Sequence, residues 1–168
     1  KKINKKRILV ALSYDKRTST EMLKWVKNLE DFCREEDITI HIKNHPCNIG
    51  LTLKQYGIQH LKCNYKFVDG EFSKAVREVN VVVTTQSNAG YETALYGIPI
   101  IFLNLPSELN INYMPKEWDL KRYKVVYSIE ELRLAISKYI DIKLKEINLK
   151  NGQFHAIAST ETVSHLFM

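Results

Sequence analysis

Apolar and polar positions alternate with two different periods along this chain, and the switches between them mark out strands and helices. Residues 7–12 (RILVAL) form a short continuous apolar run, the pattern of a strand covered on both faces. Met22, Trp25, Val26, Leu29, Phe32 and Cys33 then recur at helical spacing and predict one amphipathic helix. Thr18 and Glu21 carry capping-box spacing at its start. Ile38, Ile40 and Ile42 alternate with Thr39, His41 and Lys43, a strand that ends at Asn44-His45-Pro46. Residues 48–63 read as a loop with one short helix. Residues 65–68 predict a third strand, closed by Asp69-Gly70, and Phe72, Ala75, Val76 and Val79 mark the next helix. Residues 81–84 are the fourth strand. Residues 88–96 form a short helix, with Gly97 where a left-handed C-terminal cap belongs. Residues 99–105 are the fifth strand. Residues 124–127 are the sixth, and Ser128 and Glu131 repeat the capping-box spacing before a helix lined by Ile129, Leu132, Ile136 and Tyr139.

Two stretches fit this alternation less clearly. Residues 106–122 are long and polar, with Pro106, Pro115 and Trp118, and are expected to form a surface lip. Beyond Leu144 the pattern weakens, Asn151-Gly152 breaks it, and residues 160–167 are a candidate terminal helix.

Strands alternating with helices imply right-handed crossovers and a parallel sheet. The expected fold is therefore α/β, a Rossmann-like three-layer sandwich with a mostly parallel sheet of about six strands, ordered 3-2-1-4-5-6. Ligands of such sheets bind beyond the carboxyl ends of the strands. The loops on that edge hold residues 13–18, 44–48, 69–71, 85–90 and 104 onward.

Composition narrows the class. The 168 residues suit one domain, with residues 7–168 as a single Rossmann-like unit behind a basic linker or terminus, residues 1–6. Hydrophobic residues make up 45% and charged residues 26%, as in globular proteins, and no apolar run approaches the ~20 residues of a membrane span. Cys33, Cys47 and Cys63 form no C-x-x-C pair and read as free thiols of a reducing, cytoplasmic setting. Much of the net charge of +6 sits in Lys1, Lys2, Lys5, Lys6 and Arg7. That run reads as a solvated terminus; peripheral contact with the inner membrane face is the alternative, and no nucleic-acid partner is expected. The chain starts without Met, and it is expected to be part of a longer protein.

The stretch TTQSNAGYE, residues 84–92, leaves a strand and opens a helix. A helix start offers free N–H groups and partial positive charge, so it suits a phosphate. Thr85, Ser87 and Asn88 add hydroxyl and amide groups, and Ala89 and Gly90 would let a ligand approach the backbone. The same residues admit a purely local reading, with Ser87 or Asn88 as N-cap and Glu92 complementing the helix dipole. His45, held extended before Pro46, can donate to a phosphate oxygen or stand as an ordinary loop residue. His41, His60, His155 and His165 lack metal-ligand spacing, and no metal or cofactor is expected. Residues 13–19 (SYDKRTS) hold no glycine, so the dinucleotide fingerprint is missing; the Walker phosphate loop and the nucleophile elbow are missing too.

The His45-Pro46 dipeptide after the second strand, followed by S-x-x-G-x-E-x-x-x-x-G-x-P (Ser87, Gly90, Glu92, Gly97, Pro99) after the fourth, resembles the C-terminal half of GT-B glycosyltransferases. The likeness is above all to bacterial capsule and surface-polysaccharide enzymes with an HP motif, including sialyl- and Kdo-transferases, and it spans roughly residues 7–140. It implies a domain that binds a nucleotide-sugar donor linked to CMP, UDP or GDP. His45 and Ser87 would contact phosphate and Glu92 would lie near the ribose or sugar; Ser13 matches by position after the first strand. The resemblance places the acceptor domain, and the catalytic base it usually supplies, in an N-terminal half outside this chain, so the chain alone is expected to transfer nothing. Ser13, His45, Ser87, Asn88 and Glu92 are expected around one cleft. Two alternatives stay open: half of a nucleotide-sugar epimerase or glycerophosphotransferase, and a non-catalytic α/β module that binds a nucleotide or protein partner.

Overall fold

The computed structural model describes residues 5–85, 87–106 and 122–142. Strands β1 (Lys6–Ala11), β2 (Ile38–Lys43), β3 (Tyr65–Phe67), β4 (Val81–Thr84), β5 (Ile100–Leu103) and β6 (Tyr123–Val126) form one sheet. Their order is β3-β2-β1-β4-β5-β6 and every pairing is parallel, as the alternation predicts. β1 lies central, in register Ile8↔Ile40 on one side and Ile8↔Val81 on the other.

Strand periodicity splits the core into two faces. Ile8, Val10, Ile40, Ile42, Val83 and Ile101 face helices α1 (Lys16–Asn28), α2 (Glu30–Glu35) and α5 (Ile129–Tyr139). Leu9, Ala11 and Val82 face α3 (Phe72–Arg77), and Ile100 and Phe102 pack with Ala94 of α4 (Asn88–Leu95). Both faces are covered, and for that reason β1 and β4 read as unbroken apolar runs. Gly97, at φ +67°, follows α4 as the left-handed cap.

The helix edges correct the sequence reading in places. Asp15, not Thr18, caps α1: its carboxylate accepts the Thr18 N–H at 2.7 Å, and Thr18 lies buried inside the first turn. With the cap one turn earlier, the orphan donor to be satisfied is the Thr18 N–H itself, and Glu21 lies within the helix. The single predicted helix over 18–33 breaks at Leu29, which ends α1 and starts α2. The Leu29 N–H turns to Val26 O at 3.0 Å, a tight local turn that leaves Leu29 and Cys33 in the same core. Residues 46–56 hold two 3-10 turns rather than one short helix, Pro46–Asn48 and Leu53–Tyr56. The cap of α5 is as expected at Ser128, whose hydroxyl accepts the Glu131 N–H at 3.1 Å, but the returning Glu131 carboxylate takes the Tyr127 N–H. Lys6 and Arg7 belong to β1 rather than a free basic run: Lys6 pairs with Glu36 at 2.8 Å and Arg7 donates to the Glu78 carbonyl.

Cys33 and Cys63 are buried and Cys47 is exposed, all as free thiols. Among the described residues, no helix is long and apolar enough to cross a membrane. The expected lip over residues 107–121, with Pro115 and Trp118, and the candidate helix over 160–167 lie outside the described residues.

His41 is 2% exposed on β2, and its Nδ1 has no hydrogen-bond partner. Burial holds its pKa below the ordinary value, helped by Lys66 and Arg7 and opposed by Glu78. The unfolded chain therefore takes up this proton first as pH falls, and stability is lost below the ordinary histidine pKa of about 6.5. Urea denaturation at pH 7.5 and 5.5 should show a smaller acid loss for His41→Leu than for the wild type. Equal losses would mean that His41 is not the group responsible.

Candidate ligand site at the carboxyl edge of the sheet

The ends of β1, β2 and β4 meet on one edge. Ser13, just past β1, is buried; its Oγ accepts the Asp15 N–H at 3.3 Å. Its carbonyl accepts Ser19 Oγ at 2.9 Å and Asn48 Nδ2 at 3.3 Å. The same Asn48 amide donates to Tyr14 O at 2.8 Å. The loop after β1 is thus tied to the loop after β2.

His45 opens that second loop with φ −62° and ψ 147°, the extended geometry that Pro46 imposes. Its Nδ1 accepts the Cys47 N–H at 3.2 Å. In the neutral ring the proton then resides on Nε2, so the free end of His45 is a donor. The Tyr14 ring lies edge-on to it, with centroids 6.2 Å apart and planes at 68°.

On the β4 side, Thr84 Oγ1 donates to Ala11 O at 3.0 Å, joining the ends of β1 and β4. Ser87 Oγ lies 3.2 Å from Thr84 Oγ1. A hydroxyl has one proton, and that of Thr84 is committed to Ala11, so Ser87 is the donor in this pair. Ser87 stands at the N-cap position of α4 by backbone conformation, yet its side chain caps nothing. Of the two expected readings for this hydroxyl, the local cap is not realised. Among the described residues no side chain is seen to cap the start of α4, and Asn88 is exposed there.

The structure therefore gathers Ser13, His45 and Ser87 around the end of β1, through Asn48 on one side and Thr84 on the other. Thr85 is 2% exposed and stands inside rather than on the rim. Glu92 is half-buried in the second turn of α4. Gly90 has a packing reason for its identity: a Cβ there would run into the Phe102 ring of β5, and its N–H bonds Ser87 O at 2.9 Å.

Thr84, Asn48 and Lys43 were not singled out by sequence reasoning. Thr84 and Asn48 act through partners 73 and 35 residues away, which no local pattern reveals. Lys43 had a signal, a lysine at the last position of a strand on the ligand edge. Its ammonium donates to the Gly70 carbonyl and has no ion pair among the described residues. Among the described residues no cluster of His, Cys, Asp and Glu could hold a metal ion. Thr84→Val should cost about 1–3 kcal/mol in urea denaturation, because it leaves the buried Ala11 carbonyl without its side-chain donor. Thr84→Ser should restore most of that loss, and equal stability of all three proteins would dismiss the link.

A parallel six-stranded sheet with this order defines a Rossmann-like domain, and solved glycosyltransferases contain domains of the same fold. The glycotransferase of kitacinnamycin superposes with a TM-score of 0.56 at 16% identity, over 84% of this chain and 36% of that one. A family 9 glycosyl transferase from Veillonella parvula gives 0.54 at 14% identity, over 95% of this chain and 47% of that one. The catalytic domain of the cholesterol-alpha-glucosyltransferase from Helicobacter pylori gives 0.50 at 14% identity, over 90% and 93%. The chain thus spans between a third and a half of the first two proteins. No protein-family model and no curated protein matches this chain.

Proposed function

We propose that this chain is the donor-binding domain of a glycosyltransferase that builds bacterial surface or capsular polysaccharide, and that it holds a nucleotide-activated sugar by its phosphates. One observation carries the reading. A histidine whose Nε2 has no partner among the described residues and a helix start that Ser87 leaves uncapped follow β2 and β4, the two strands that flank central β1, on the carboxyl edge of the sheet. Both favour negative charge, and negative charge grows on the phosphate leaving group during sugar transfer. His45 Nε2–H and the first N–H groups of α4 would stabilise that charge. Ser87 joins them by turning its proton from Thr84 to the ligand, leaving Thr84 held by Ala11. The acceptor and the catalytic base belong to the other half of the enzyme, which orients the second reactant. The likeness to glycosyltransferase folds supports this reading, as do the HP dipeptide and the spacing of Ser87, Glu92 and Pro99. We place the domain in the cytoplasm. Of the five basic residues that suggested the inner membrane face, Lys6 and Arg7 are engaged within the fold.

Titration with CMP, UDP and GDP tests the proposal by protein NMR. A few charge-assisted hydrogen bonds and one base contact give about 4–5.5 kcal/mol, hence a Kd of ~0.1–1 mM. Saturable shifts are expected at the amides of Cys47, Asn88 and Ala89. CMP preference would favour the sialyl- or Kdo-like branch, and UDP or GDP preference the wider sugar-transferase class. No shift with any nucleotide at millimolar concentration would overturn the reading.

A further inference from the structure

Tyr14 and Ile49 are 72% and 75% exposed, the two most exposed of the described large hydrophobic side chains. Single apolar residues on a surface are ordinary. The loops that carry them are tied: the Asn48 amide holds the Tyr14 carbonyl at 2.8 Å, and Ile49 is the next residue in the chain. The Tyr14 ring also borders His45, at 6.2 Å between centroids. The tied loops thus present an exposed aromatic ring beside the His45 imidazole, with exposed Ile49 on the second of the two loops.

Several polar groups around this face are already engaged. Asn48 Nδ2 donates to the carbonyls of Ser13 and Tyr14, and Asn44 bonds Leu51 O and the Tyr56 hydroxyl. His45 Nδ1 is taken by the Cys47 N–H. A sugar ring carries hydroxyls that need partners, whereas a nucleobase can offer a bare π-face. Beside these engaged groups, His45 Nε2–H, which has no partner among the described residues, stands next to the flat face of the Tyr14 ring. That combination matches a planar ring linked to an anion.

We propose that Tyr14, flanked by Ile49, is the stacking platform for the nucleobase of the nucleotide whose phosphate meets His45. The proposal rests on the donor-binding reading and adds to it the place of the base. Stacking tolerates any base, so the platform contributes affinity, and discrimination among CMP, UDP and GDP comes from elsewhere on the rim. Tyr14 is exposed and anchored through its backbone, so changing its side chain leaves the fold intact.

The test compares wild type, Tyr14→Phe, Tyr14→Ala and His45→Ala, each titrated with CMP, UDP, GDP, inorganic pyrophosphate and glucose 1-phosphate. Tyr14→Ala is expected to weaken nucleotide binding about 5- to 150-fold, the range of one lost base stack. Tyr14→Phe should keep wild-type affinity, and pyrophosphate binding should be unchanged in both. Nucleotide affinity untouched by Tyr14→Ala, with His45→Ala still weakening it, would overturn the platform and leave the donor-binding reading standing. An equal loss of pyrophosphate would also overturn it, making Tyr14 a support for His45. Loss confined to glucose 1-phosphate would assign the face to the sugar and refute the base. Wild type that binds no nucleotide would remove both proposals together.

Discussion

Gly90→Ala lowers the stability of this protein by about 1–3 kcal/mol, the cost of forcing a methyl group into a packed core. A Cβ at this position lands in the Phe102 ring, which packs against the buried Tyr123 at a centroid distance of 6.2 Å. Phe102 is buried, so its ring moves only by displacing what packs against it. Alanine is the better helix former by ~1 kcal/mol, but Gly90 lies in the first turn of α4, where much of that preference is unused. The clash therefore wins. Phe102→Leu opens space at the same point, so Gly90→Ala should cost far less in that background than alone. Urea denaturation of the four proteins of this cycle gives the coupling. Additive losses would mean that α4 moves away from β5 instead of pressing on the ring.

His45→Ala weakens nucleotide binding by about 1–3 kcal/mol, roughly 5- to 150-fold, the cost of a hydrogen bond to a charged group. Cys47 supplies a direct readout. It is exposed and two residues from His45, while Cys33 and Cys63 are buried. A thiol-alkylating reagent should modify Cys47 alone in the folded protein, giving a single mass increment. Bound nucleotide should slow that reaction in the wild type and not in His45→Ala at the same nucleotide concentration. Continued protection of Cys33 and Cys63 certifies that the variant is folded. If nucleotide slows alkylation equally in both proteins, His45 makes no contact with the phosphate.

Both experiments probe positions that were visible in the sequence, His45 for the reason the sequence suggested and Gly90 for a different one. Gly90 stood in a turn of small residues and read as room for a ligand; the Phe102 ring, twelve residues along the chain, supplies its packing role. Ser87 read as a cap or a phosphate ligand; its hydroxyl makes no cap and is turned to Thr84, whose own proton goes to Ala11. His45 kept its expected place and geometry, because Pro46 acts on the residue beside it.

Local information determined the architecture. Apolar runs covered on both faces, helical spacing between them and Gly97 at the end of α4 are short-range signals, and the order of β3, β2, β1, β4, β5 and β6 is that of the doubly wound type which strict strand–helix alternation suggested. Where two local signals competed, the sequence was less informative: Asp15 outranks Thr18 as the cap of α1, and Leu29 breaks a stripe whose spacing runs on unbroken. The partners that shape the candidate site were decided by tertiary structure alone. Ala11 meets Thr84, Asn48 meets Ser13 and Tyr14, and Tyr14 meets His45 across separations that periodicity does not encode. The sheet brings those residues to one edge, and hydrogen-bond capacity then settles which donors remain for a ligand.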